Sequence, residues 1–108
     1  LLVKKSLYLQ AGGLDETFAV SLNDVDFCLR LRKMGKLNVF TPFAELYHYE
    51  SESRGDDLHG ENAARYDQEA ELFKERWKEL LEQGDPYYNP NFTLERSDYS
   101  LKLPDSRR

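Results

Sequence analysis

The chain is poor in the features that announce several protein classes. It has one cysteine, Cys28, so no intrachain disulfide can form. A disulfide-stapled secreted scaffold is excluded, and a reducing compartment is compatible. No apolar run approaches the roughly 20 residues that a membrane-spanning helix needs. Leu1-Leu2-Val3-Lys4-Lys5 carries its charges after its apolar residues, the reverse of a signal peptide. Positive charge is also short: 15 Lys and Arg against 20 Asp and Glu leave a net charge of -5. Nothing then offsets phosphate repulsion, which argues against a nucleic-acid partner and against broad adsorption to an anionic lipid surface. A Walker loop, a GxGxxG turn, paired CxxC motifs, an HExxH helix and a calcium loop are all missing.

What is present suits one small soluble core: 108 residues, 40% hydrophobic and 13% aromatic. Lys4 to Gln10 is short and mixed, and Ala11-Gly12-Gly13 ends it in a turn of the kind that needs positive φ. Leu14 to Leu22 reads as an irregular loop plugged by Leu14 and Phe18. A helix is expected over Asp24 to Met34, with Asn23 or Ser21 as N-cap. Asp24 and Asp26 favour its positive end, Arg30, Arg32 and Lys33 its negative end, and Gly35 follows as C′ residue. Val25, Cys28, Leu29 and Arg32 keep helical spacing, with Leu31 and Met34 widening the apolar arc.

Two short strands are expected next, at Leu37–Thr41, closed by Pro42, and at Glu45–Tyr49. Ser51 to Gly60 reads as a polar loop. From Glu61 to Gln83 a second helix is expected, its buried stripe running Tyr66, Ala70, Phe73, Trp77, Leu80, with Gly84 and Asp85-Pro86 as stop. The rest is a Pro-punctuated aromatic tail. Strands this short cannot build a sheet alone, so they would belong to a sheet whose other strands lie upstream of Leu1. A chain that does not open on Met reads in the same way, as a fragment.

The sharpest constellation is Gly12-Gly13-Leu14-Asp15-Glu16, then Asn23-Asp24-Val25-Asp26 opening a helix that continues through Arg30, then Pro42 and His48. In order and spacing this resembles the C-terminal, acceptor-side half of GT-A fold, family-2 glycosyltransferases. Asp85-Pro86-Tyr87-Tyr88-Asn89-Pro90-Asn91 is similar to members that build bacterial surface polysaccharides, and together the resemblance covers nearly the whole chain. It implies an α+β fragment of a Rossmann-like α/β domain, with two main helices and short strands. Residues 1–84 would be the C-terminal part of the catalytic domain, and 85–108 an irregular tail.

The resemblance also implies a reaction, inverting transfer of a sugar from a nucleotide-sugar donor to a glycan or lipid-linked acceptor. A carboxylate is wanted to take the acceptor hydroxyl's proton. By local features Asp24 is a first-turn acid; the resemblance makes it the base. Gly12, Gly13, Asp15, Glu16 and Asn23 match positions around acceptor and donor, although Asp15 could equally bond within its own loop. Mn²⁺ or Mg²⁺ would neutralise the leaving diphosphate. His48 matches a position that can add a metal ligand or touch the diphosphate; its alternative is a hydrogen-bonded structural histidine. The family pair is usually Glu-Asp, and Asn23 stands where the Glu would be. Asp26 should point away from Asp24 and is not expected to be a second catalytic acid.

Other residues carry weaker expectations. His59 should face solvent, Arg54 and Arg65 could approach a diphosphate, and Tyr87, Tyr88 and Trp77 could stack on sugars or simply pack. Location would be cytoplasmic, at the inner membrane face where lipid-linked acceptors lie. The fragment alone should be inactive, and the apolar surface left by a missing half could pair two copies. Two rival readings stand beside this one: a non-catalytic acidic α+β interaction module docking through its aromatic stripe, and a degenerate glycosyltransferase relative.

Overall fold

A computed structural model describes residues 1–49 and 61–103; the expected loop at Ser51 to Gly60, with Arg54 and His59, lies outside them. The described residues form four helices: α1 (Lys5–Gln10), α2 (Asn23–Lys33), α3 (Glu61–Arg76) and α4 (Lys78–Gln83). It divides into two compact units, Leu1–Arg76 and Trp77–Arg108.

In the first unit, glycine stops both early helices in the same way. Past α1, the Gly12 N–H donates to the Leu9 carbonyl at 3.1 Å and the Gly13 N–H to that of Tyr8 at 2.9 Å. Past α2, Gly35 reaches Arg32 and Lys36 reaches Leu31, both at 3.0 Å. Each pair is a Schellman motif, which needs a left-handed residue just after the helix; Gly12 and Gly35 have φ of 85° and 84°. Gly13 has a second constraint: a Cβ there would sit 3.1 Å from the Tyr8 hydroxyl oxygen.

The start of α2 differs from expectation. Neither Ser21 nor Asn23 caps it; Leu22 occupies the cap with φ 66° and no side-chain cap bond, and Asn23 is already helical. The Asn23 amide instead donates back to the Phe18 carbonyl at 3.0 Å. The buried face of α2 is also rotated from the expected arc. Phe27 and Leu31 are buried, i and i+4 on one stripe, together with Asp26, while Val25 and Met34 are exposed. Phe18 fills the loop as expected and is wholly buried, but Leu14 is exposed. The core of this unit is small: Phe18, Val20, Phe27, Leu31 and Phe73. Phe18 meets Phe73 edge-on at 6.1 Å, and Tyr8 lies 5.4 Å from Phe27.

The expected strands at 37–41 and 45–49 do not form. β-rich composition suits a strand, yet a strand exists only against a partner, and none pairs with either range among the described residues. Leu37, Val39, Phe40, Phe43, Leu46 and Tyr47 are left largely exposed. The architecture is therefore helical with almost no β structure, in place of the expected α+β fragment.

In the second unit the expected long helix has already broken: Trp77 leaves helical geometry at φ -107°, ψ 21°, and α4 starts anew after it. Trp77 is buried, so it is not the exposed stacking ring considered above. Gly84 ends α4 with φ 76°. Beyond it the side chains of Asp85, Asn89 and Asp98 each accept the N–H two residues on, turning the chain locally. The described residues contain one β pairing, an antiparallel bridge between Phe92 and Leu101. Tyr88, Phe92 and Tyr99 cluster there with ring centroids 6.0–6.4 Å apart.

Phe18 makes a clear test of so small a core. Phe18→Ala should cost about 3–5 kcal/mol, seen as a lower denaturant midpoint in urea unfolding.

Candidate functional site

The site is built around the first turn of α2 and the loop that feeds it. Arg30 organises one side. Its Nε donates to Asp26 Oδ2 at 2.9 Å, one step of i,i+4 up the helix. Its other two nitrogens reach the carbonyls of Ala11 and Gly13, each at 2.6 Å. The guanidinium fork thus clamps the Gly-Gly turn onto α2, giving donors to two carbonyls of the turn that follows α1.

Asp26 is completely buried, and its second oxygen accepts from Arg76 at 3.1 Å. Arg76, at the end of α3, also donates to Asp15 Oδ2 at 2.7 Å and lies 4.9 Å over the Phe18 ring. Asp15 Oδ1 accepts the Thr17 N–H at 2.9 Å. Between the two positions left open for Asp15, the structure shows the bond within its own loop and adds the ion pair. The Thr17 backbone N–H, then its hydroxyl, then Arg76 hold the Asp15 carboxyl down from 3.8 to about 2. The same two carboxylates push Arg76 further above its ordinary range, Asp15 first.

Glu69 organises the other side. It sits buried on α3 and receives three successive loop N–H groups. Ala19 donates to Oε1 at 3.0 Å, Val20 to both oxygens at 3.1–3.2 Å, and Ser21 to Oε2 at 3.0 Å. The Arg65 Nε adds a bond at 3.2 Å. Burial opposes ionisation of Glu69, but the Ser21, Val20 and Ala19 N–H groups and Arg65 outweigh it and hold its carboxyl below the ordinary value. Arg65 therefore serves this carboxylate.

Onto this frame the expected site residues fall unevenly. Gly13 and Asp15 are tied to α2, through Arg30 and through Arg76 with Asp26. Asn23 is tied to the loop at Phe18. Gly12 and Glu16 are exposed in the turns. Asp24 is exposed on the first turn of α2, one oxygen accepting the Val25 N–H at 2.9 Å. That leaves a carboxylate fixed at its base and open to solvent, able to accept a proton from a bound hydroxyl. His48 lies exposed in the segment 36–49. No group of three or more His, Cys, Asp or Glu side chains able to hold a metal ion occurs among the described residues.

Sequence reasoning missed Arg76 and Glu69. Glu69 did leave a signal: it falls three residues after Tyr66 and four before Phe73, a charge on the apolar stripe that has to find a buried partner. Asp26 and Arg30 carried the i,i+4 spacing of an ion pair. Arg76 left no local signal, because its partners are distant in the chain.

The chain is 45% identical over 105 residues, 96% of its length, to the uncharacterized protein y4gI of Sinorhizobium fredii. It is 36% identical over 102 residues to the O-antigen biosynthesis protein RfbC of Myxococcus xanthus. Over 66 residues, 61% of its length, it is 41% identical to N-acetylglucosaminyl-diphospho-decaprenol L-rhamnosyltransferase of Mycobacterium tuberculosis. It spans 11%, 8% and 22% of those proteins. No family model and no solved structure matches it.

Two outcomes follow from the charge network. Arg30→Ala leaves the buried Asp26 with Arg76 as its one remaining guanidinium and strips two carbonyls of their donor, and should cost about 3 kcal/mol in urea unfolding. Arg30→Lys should be a poor rescue because a point charge cannot span three acceptors. The Asp15 carboxyl is depressed on folding, so its contribution is present above pH 3.8 and is lost as pH falls towards about 2. Asp15→Asn should flatten that acid limb of a stability-against-pH curve.

Proposed function

We propose that this chain forms the acceptor-side part of a sugar-transferring enzyme of surface-polysaccharide assembly, with Asp24 as general base. The observation that carries the reading is the exposed Asp24 carboxylate on a helix start held from both sides, by Asn23 on Phe18 and by Glu69 on the loop N–H groups. The similarity to RfbC, an O-antigen biosynthesis protein, and to the rhamnosyltransferase supports the same reaction class. The activity belongs to a longer protein, since the chain spans only about a tenth to a fifth of these relatives.

In the proposed step, the acceptor oxygen attacks the anomeric carbon of a nucleotide sugar and Asp24 takes the hydroxyl proton. The bond to the diphosphate breaks on the opposite face, the electron pair leaves with the phosphate oxygen, and the configuration inverts. Mn²⁺ or Mg²⁺ would stabilise that leaving charge. The described residues do not fit such an ion by themselves, because His48 offers one donor and no cluster surrounds it. Gly12, Gly13, Asp15, Glu16 and Asn23 shape the acceptor side, and Gly13 and Asp15 do so by holding the loop. No described helix is long and apolar enough to cross a membrane. A lipid-linked acceptor would be met at the inner, cytoplasmic face of a membrane.

Asp24→Asn decides the matter, because the amide keeps an oxygen for the Val25 N–H while losing the base. In the longer protein that carries this chain, assayed with a panel of nucleotide sugars, the variant should lose about 10²–10⁴-fold in transfer rate with an unchanged melting temperature. Full transfer by Asp24→Asn sinks the assignment.

A further inference from the structure

Glu69 is only 3% exposed on α3, and the transfer chemistry has no use for an acid at that point. Its carboxylate receives the N–H groups of Ala19, Val20 and Ser21, a run of consecutive donors that forms an anion-holding nest. The nest is immediately followed by Leu22 with φ 66°, a left-handed conformation that a leucine adopts only under constraint. That residue throws the chain into α2, whose first two residues are Asn23 and Asp24. No side chain caps the helix at Leu22 itself, so the turn is held from outside: by Glu69 on three N–H groups and by Asn23 on the Phe18 carbonyl.

From this geometry, and resting on the transferase reading above, we infer that Glu69 is a positioning residue that sets where Asp24 stands against the acceptor. Its two oxygens match a nest that only a carboxylate completes. In Glu69→Gln an amide NH₂ replaces one oxygen and faces N–H donors, so the part-buried N–H of Ala19 or Ser21 loses its acceptor. The strained turn at Leu22 then relaxes and Asp24 moves with it. Glu69 bonds to the loop and to Arg65, so its loss reaches the reaction through the base and not through donor binding.

The test compares Glu69→Gln, Glu69→Asp and Glu71→Gln in the longer protein, reading transfer kinetics together with hydrogen exchange of the 19–21 amides. Glu71 is an exposed neighbour on α3 paired with Lys74, and its variant should match the wild type. Glu69→Gln should lower kcat by about 10²-fold, the scale of a small misplacement of a catalytic group, with donor KM unchanged. Exchange at 19–21 should rise while the rest of the protein stays protected. Glu69→Asp keeps the charge and should recover part of kcat; it carries the same test if Glu69→Gln does not fold. Unchanged exchange at 19–21 overturns the inference, as does faster exchange with full kcat. A fall in kcat accompanied by loss of protection everywhere also overturns it, leaving Glu69 a merely structural residue. A wild-type protein with no transfer from any donor defeats the transferase reading itself, and the exchange data separate that failure from one confined to Glu69.

Discussion

A carboxylate with no solvent exposure has to be neutralised where it stands, and Asp26 is such a group. Two guanidinium groups do it, one from its own helix and one from α3. Arg30 has two nitrogens left over and Arg76 shares one nitrogen between two acceptors, and those bonds determine the rest. Arg30 uses its remaining two on Ala11 and Gly13, fastening the end of α1 to α2. Arg76 also reaches Asp15, fastening the loop. One buried charge therefore ties α1, the 14–22 loop, α2 and α3 into a single arrangement. Its value is specification more than net stability, because desolvating the charges consumes much of what their attraction returns.

That division of labour suits a unit whose apolar core, among the described residues, is five side chains. Phe18, Phe27 and Phe73 supply burial without direction, since hydrophobic contact tolerates many packings. The polar bonds supply the direction. Arg76 shows both roles in one side chain, lying over the Phe18 ring while its nitrogen bridges two carboxylates.

Much of this was legible in the sequence where the rule was local. The α2 helix, the stops at Gly12, Gly35 and Gly84, the loop at 14–22 and its Phe18 plug depend on neighbours within a few residues. The buried face of α2 was not legible, because Val25, Cys28 and Leu29 satisfy helical spacing as well as Phe27 and Leu31 do. Only the position of Phe18 and Phe73 chooses between them. The strand readings at 37–41 and 45–49 failed for a related reason: alternation and β-branching say that a segment would fit a sheet, and a sheet needs a second strand. Of the candidate site, Asp24 was legible as a first-turn acid, whereas Arg76 and Glu69 act across long sequence separations that no local pattern encodes.

Asp24 and Asp26 make the contrast most sharply. They are two residues apart, about 200° around the helix, so burying one exposes the other. Asp26 faces inward and is held by two arginines, which removes it from chemistry by saturating its oxygens. Asp24 faces outward, where one of its oxygens accepts the N–H of the next residue. The same rotation that buries Phe27 and Leu31 sets both fates. An exposed carboxylate in this place therefore costs the fold little, because the structural burden falls on Asp26 and Glu69.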